Sequence, residues 1–212
     1  MNLADIRIEY TRDRVRRETL APDPIAQFQL WLEQAVHAEC VEPTAMSLAT
    51  ATPEGNSLLR TVLLKGIDQR GFIFFTNLES RKARHIADNS HVSLLFPWLA
   101  LERQVIIVGT AVPLTTMEAL DYFASRPRES QLAAWASPQS ALITSRKILE
   151  TAWEHMKMKF SEGRIPLPPF WGGYLVVPQT IEFWQGGAHR LHDRFEYTRQ
   201  PDGSWTIGRL AP

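Results

Sequence analysis

The chain has almost no cysteine, no charge excess and no long apolar run, and each lack removes a class of protein. Cys40 is the single cysteine, so no disulfide can close within the chain and a reducing, cytoplasmic setting is expected. A lone cysteine gives no metal-ligand spacing, and neither HExxH nor CxxC occurs, so no metal is expected. Lysine plus arginine and aspartate plus glutamate each number 23, for a formal net charge of zero. A broad nucleic-acid or membrane-binding surface would show as a basic excess, so neither partner is expected, although a local basic pocket stays compatible. The longest apolar stretch, around 91–101, is broken by Pro97 and falls short of the roughly 18–20 residues of a membrane span. The first twenty residues are charged, with five arginines between Arg7 and Arg17, and lack the apolar centre of a signal peptide. No GxGxxG or GxxxxGK(S/T) occurs, which argues against a Rossmann or P-loop nucleotide site.

What remains is an ordinary globular composition, 44% hydrophobic and 22% charged over 212 residues, enough for one well-buried domain. Residues 1–20 read as a solvated or partly ordered arm and 21–212 as a single domain. Asp23-Pro24 reads as an N-cap and first helical position, and Ile25, Phe28, Leu32, Ala35 and Val36 recur at helical spacing, predicting a helix over 24–39. From 44 to 113 five short β-rich runs alternate with turn signals, interrupted by one short helix over 80–88; this spacing predicts an antiparallel barrel rather than a βαβ sheet. Further helices are expected over 115–127 and 139–161. Strands return at 173–177, 181–185, 193–199 and 204–209, with Pro201-Asp202-Gly203 as a hairpin turn.

Four segments concentrate anion-binding side chains. Residues 184–194, WQGGAHRLHDR, hold two arginines, two histidines and a tryptophan. If extended after the glycines, they place Arg190, His192 and Arg194 on one face, which suits an anion as well as it suits a solvated edge strand. Arg60 and Lys65 bracket the apolar run of RTVLLK. In a regular buried strand they would point to opposite faces, because five is odd. Either a bulge intervenes or the two cations serve different anions; two snorkelling ends are the plain alternative. Ser80 reads as an N-cap with Arg81 and Lys82 in the first turn. Cations there oppose the helix dipole by ~0.3–1 kcal/mol each, and an anion meeting the free N–H groups would reverse the sign. Tyr122 and Arg126 lie four apart on one helix face, with Ser130 in the following turn, a second possible phosphate cradle. Cys40 and Asp193 read as packing and as a structural partner for a nearby cation.

The segments RTVLLK (60–65), FFTNLESRK (74–82), SLLFPW (93–98), ERQV (102–105), YFASRPRESQ (122–131), WASPQS (135–140), FWGGY (170–174), EFWQGG (182–187), RLHDR (190–194) and RLAP (209–212) together resemble the pyridoxine/pyridoxamine 5′-phosphate oxidase family, in order over nearly the whole chain. The resemblance implies an α+β, mainly β, FMN-binding split β-barrel, a Greek-key-like antiparallel barrel with flanking helices. It implies a homodimer with FMN sites at the subunit interface. The implied activity is oxidation of pyridoxamine or pyridoxine 5′-phosphate by O₂ to pyridoxal 5′-phosphate and H₂O₂.

By the same resemblance, FMN falls to Arg60, Thr61, Val62, Leu63, Leu64 and Lys65, then Phe75 and Thr76, then Ser80, Arg81 and Lys82. Gln104, Gln139, Ser140, Trp184 and Arg194 complete that set, some from the partner subunit. The substrate phosphate falls to Lys65, Tyr122, Arg126 and Ser130. Arg190 and His192, with Leu191 between them, lie against the substrate ring as the catalytic pair. Arg7, Ile8, Glu9 and Tyr10 match a flexible arm that covers the site. Ala133 and Ala134 depart from a frequent Ile-Gly-Ala and Ala188 from a frequent polar residue, which bears on substrate preference alone. The alternatives are another flavin-dependent oxidoreductase on this barrel and a non-catalytic FMN or pyridoxal phosphate carrier. An RNA-binding barrel is disfavoured by the neutral charge.

Overall fold

The structure is a computed structural model that describes residues 9–10 and 13–212. The expected arm residues Arg7 and Ile8 lie outside the described residues. The first helix, α1 (Pro24–His37), starts where the sequence says it should: the Asp23 carboxylate accepts from the amides of Ile25 and Ala26, each at 3.2 Å. Its apolar stripe buries Phe28 and Trp31. Phe28 meets Phe72 and Phe96 at centroid distances of 4.9 and 4.8 Å, and Trp31 meets Phe183 at 5.1 Å. These aromatic edges tie the helix to the concave face of one sheet.

Among the described residues nine strands form that sheet: β1 (Ala45–Ala51), β2 (Ser57–Leu63), β3 (Gly66–Asp68), β4 (Gly71–Asn77), β5 (His91–Trp98), β6 (Arg103–Pro113), β7 (Trp171–Gln185), β8 (Asp193–Arg199) and β9 (Trp205–Leu210). The order is β2-β1-β5-β6-β7-β4-β3, with β8 and β9 added on β7, and the pairings are antiparallel. Strict alternation in β1 buries Met46, Leu48 and Thr50, and in β5 it buries Val92, Leu94, Phe96 and Trp98, as a period of two requires. The remaining helices are α2 (Arg81–Asp88), α3 (Thr116–Ser125), α4 (Arg128–Ala136) and α5 (Arg146–Lys159). A second, smaller apolar cluster forms under α3 and α4 around Phe123, Leu132, Ile165 and Trp171. Among the described residues no helix is long and apolar enough to cross a membrane.

Four expectations need correction. The strands expected at 173–177 and 181–185 are one strand, β7, whose first half pairs β4 and whose second half pairs β8. Pro178 is tolerated inside it because it faces a register shift at Val108/Gly109. A Cβ on Gly109 would stand 2.2 Å from the carbonyl oxygen of Val177. The helix expected over 139–161 begins only at Arg146, and a separate α4 precedes it. Residues 137–145 between them hold Pro138 and a left-handed Ser140 (φ 69°). Strand β2 is not buried: it is an edge strand whose Leu59 remains 62% exposed. Finally, residues 188–190 form a 3₁₀ turn with His189 and Arg190 at positive φ, so regular alternation starts only at Asp193.

Candidate functional site

A cavity of about 490 Å³ opens where β2 ends, beside the ends of β4 and α3 and the start of α2. Arg60 reaches it from β2. Its Nη1 donates to the Leu48 carbonyl at 2.8 Å, while its Nη2 is buried with no hydrogen-bond partner among the described residues. Ser80 caps α2 by accepting from the Ala83 amide at 3.4 Å. Lys82, in the first turn, donates to Thr76 Oγ1 at 3.0 Å, Ser80 Oγ at 3.3 Å and Gln139 Oε1 at 2.8 Å. The Arg81 amide donates to Ser140 Oγ at 3.3 Å, so the 137–145 loop folds over the helix start. Burial, and then Arg60, push the Lys82 ammonium down to about 8. Burial and Arg81 likewise lower Arg60. Among the described residues Arg60, Arg81 and Lys82 form no ion pair. Desolvated like charges at the start of α2, with a spare buried N–H on Arg60 beside them, suit an anion.

Right after β2 the chain changes partner within the sheet: the Leu64 amide extends the β1 ladder, donating to Thr44 O at 2.9 Å, and the Lys65 amide donates to Ile73 O on β4 at 2.8 Å. The cavity takes residues from both faces of this run. Lys65 lines the same cavity as Arg60, as do Thr61, Val62 and Leu63, while Leu64 is buried in the core.

A second group of donors borders the same cavity from α3. The Tyr122 ring stacks on Phe75 at 4.0 Å, and Phe75 stacks on Trp171 at 5.4 Å and 4°. Gly173 makes room for this stack, since a Cβ there would come within 2.7 Å of the Phe75 ring. The Arg126 guanidinium lies 4.9 Å over Trp171, and its Nη1 is buried without a hydrogen-bond partner among the described residues. Burial lowers Arg126 and raises the Tyr122 phenol, each opposed by the other's charge. Trp171 was not anticipated as a wall of the site; the aromatic beside a glycine pair in WGG is the signal that could have found it. Ala133, Ala134 and Ser137 close this side. Ser130 sits in the first turn of α4 rather than in a turn, and is not among the lining residues.

The other expected residues gather elsewhere. Gln104, Trp184 and Arg194 form one cross-strand row over β6, β7 and β8. His192 lies 4.7 Å from Trp184, and the Tyr10 ring meets both edge-on at 5.6 and 5.7 Å. His192 Nδ1 accepts from the Gly187 amide at 3.1 Å, so the neutral ring carries its proton on Nε2. Arg190 and Leu191 are exposed. Arg194 grips Glu182 twice, at 2.7 and 3.1 Å, and the Ala211 carbonyl at 2.8 Å. The shared face of Arg190, His192 and Arg194 therefore does not form. Asp193 is buried against Arg209 and the Val15 amide, as a structural partner. None of Gln104, Trp184, Arg190, His192 and Arg194 lines the cavity. Among the described residues no cluster of His, Cys, Asp or Glu is arranged to hold a metal.

Comparison with known proteins places this geometry. Residues 32–160 match the pyridoxamine 5′-phosphate oxidase family model, and residues 171–212 match the C-terminal dimerisation region of pyridoxine 5′-phosphate oxidases. The chain is 60% identical over 212 residues to a pyridoxine/pyridoxamine 5′-phosphate oxidase of Teredinibacter turnerae, and 58% identical to that of Vibrio parahaemolyticus, covering 100% of each chain. Among solved structures it is similar to PhzG of Burkholderia lata, crystallised with tetrahydrophenazine-1-carboxylic acid, with a TM-score of 0.88 and 32% identity over 94% of this chain and 98% of that one. An FMN-binding protein of Nostoc punctiforme shares the fold with a TM-score of 0.71 at 17% identity over 92% and 100% of the two chains. With most of its length matched by these models and by full-length relatives, the chain belongs to the pyridoxamine 5′-phosphate oxidase family.

Proposed function

We propose that this protein is an FMN-dependent oxidase that converts pyridoxamine and pyridoxine 5′-phosphates to pyridoxal 5′-phosphate, with O₂ as acceptor and H₂O₂ as product. The observation that carries the reading is one cavity lined by two arginines, Arg60 and Arg126, each with a buried guanidinium N–H left unmatched among the described residues. Two phosphates, one on a cofactor and one on a substrate, would satisfy them. The residues fit FMN: Arg60, Lys82 and the Ser80-capped start of α2 would hold its phosphate, with the Gln139–Ser140 loop above. Bound FMN supplies the two-electron redox chemistry, and the protein supplies binding and orientation.

Lys65, Tyr122 and Arg126 would take the substrate phosphate. Arg190 and His192 would hold the pyridine ring, with the Nε2 proton of His192 donated to its phenolic oxygen; the contribution is positioning. Because the His192 surface lies outside the cavity of its own chain, the complete site joins the cavity of one protomer to the Trp184–His192 surface of its partner. The same reading puts the enzyme in the cytoplasm, takes residues 21–212 as one domain, and treats the preceding residues as an arm over the site. The Burkholderia lata relative was solved with a carboxylic acid rather than a phosphate ester. The Tyr122–Arg126 donors favour the phosphate ester here.

The test is spectroscopic. Purified protein should carry an oxidised-flavin spectrum that bleaches anaerobically on adding pyridoxamine 5′-phosphate and returns with air as H₂O₂ appears. A protein that takes up no FMN, or whose flavin ignores that substrate, would sink the proposal.

A further inference from the structure

The segment that carries Tyr10 is held at two buried points just downstream. Arg103, 7% exposed at the start of β6, stacks 4.5 Å over Trp31. Its Nε donates to Gln185 Oε1 at 2.6 Å, its Nη1 to Gln34 Oε1, and its Nη2 to Asp13 Oδ2 at 3.0 Å. Asp193 accepts from the Val15 amide at 3.1 Å and from Arg209. Val15 itself is buried in the main core.

Both anchors also grip the turn that presents His192. Gln185 immediately precedes Gly186, and Asp193 immediately follows His192. The two residues that pin segment 13–15 thus also fix the ends of the turn beneath Tyr10. From Asp13 to Tyr10 the chain can reach only about 10 Å. That short tether suits the close seat of the Tyr10 ring on Gly186, where a Cβ would stand 2.8 Å from the ring. Asp13 is itself largely exposed, its side chain 58% accessible, so its value lies in the buried partner that it holds.

We infer that Arg103 and Asp193 are positioning residues that act through Asp13 and Val15 to set Tyr10 over His192 and Trp184. The inference rests on the reading of the His192 surface as part of the substrate site. It is tested on the FMN-loaded, full-length enzyme with Asp13→Ala, Tyr10→Ala and the double variant. Each single change should raise KM for pyridoxamine 5′-phosphate about tenfold, with kcat within about twofold. The double variant should be no worse than Tyr10→Ala alone, because the two residues act in series. Amide exchange at Val15 should quicken in Asp13→Ala. A merely structural role would instead lower the melting temperature and leave KM alone, and that result, fully additive effects, or unchanged exchange would overturn the inference. If the wild-type enzyme fails to oxidise this substrate at all, the functional reading falls, and the exchange measurement alone decides the anchor.

Discussion

The cavity and the Trp184–His192 surface both carry arginines, yet they use them in opposite ways. At the surface, Arg194 has its donors taken by Glu182 and a backbone carbonyl, so its charge is neutralised within the fold. In the cavity, Arg60 and Arg126 each keep a buried N–H without a hydrogen-bond partner among the described residues. A buried unmatched donor costs about 1–3 kcal/mol, a cost that ligand binding can recover. What separates a binding arginine from a bracing one is therefore the unmet hydrogen bond, not the charge.

Breaking the binding set should have the largest effect. Arg126→Ala should raise KM for pyridoxamine 5′-phosphate by about 100-fold or more, the scale of a lost bidentate charged contact, while FMN content measured by absorbance stays at wild type. Arg190→Ala should lower kcat/KM by at least ~100-fold without releasing FMN; near-normal turnover would remove it from the site. Because these two residues belong to different protomers of one proposed site, mixing and refolding the two impaired variants should restore about one quarter of wild-type kcat/KM, from mixed dimers with one intact site each.

A smaller effect sharpens the contrast through pH. Lys82 sits near pKa 8 because burial, then Arg60, disfavour its charged form. Above that pH it loses the proton, and with it the attraction for phosphate. FMN dissociation constants, read by fluorescence titration, should rise by up to about tenfold per pH unit above 8. Lys82→Arg should flatten that rise. The smallest effect belongs to the bracing set: Glu182→Ala should cost about 1–2 kcal/mol of stability in urea unfolding, since the pair is only partly buried.

Much of this was legible before any coordinates. Asp23 and Ser80 cap their helices because a short side-chain oxygen before a helical run has few better uses. The period-two strands β1 and β5 fall where alternation put them. The cationic start of α2, singled out on electrostatics alone, does bring Lys82 to the cavity that Arg60 lines. What failed were arguments from regularity. Parity set Arg60 and Lys65 on opposite faces, yet both line one cavity, because it takes residues from both faces of the run. Alternation gathered Arg190, His192 and Arg194 only if the turn were extended, and positive φ at His189 and Arg190 prevents that. Helix α4 was missed because Pro127 before it reads as a stop, although it serves here as the residue preceding a new helix.

Strand β7 begins with Trp171, a wall of the cavity, and nearly ends with Trp184, the centre of the other surface. Thirteen steps of about 3.3 Å put their backbones at most ~43 Å apart, and less where the strand shifts register at Pro178. The strand acts as a ruler that holds the cavity and the Trp184–His192 surface apart within one chain. If the proposed site is shared between protomers, two-fold symmetry lets the same ruler, running in both chains, close two equivalent sites at once, and assembly becomes a condition of activity written into the length of one strand.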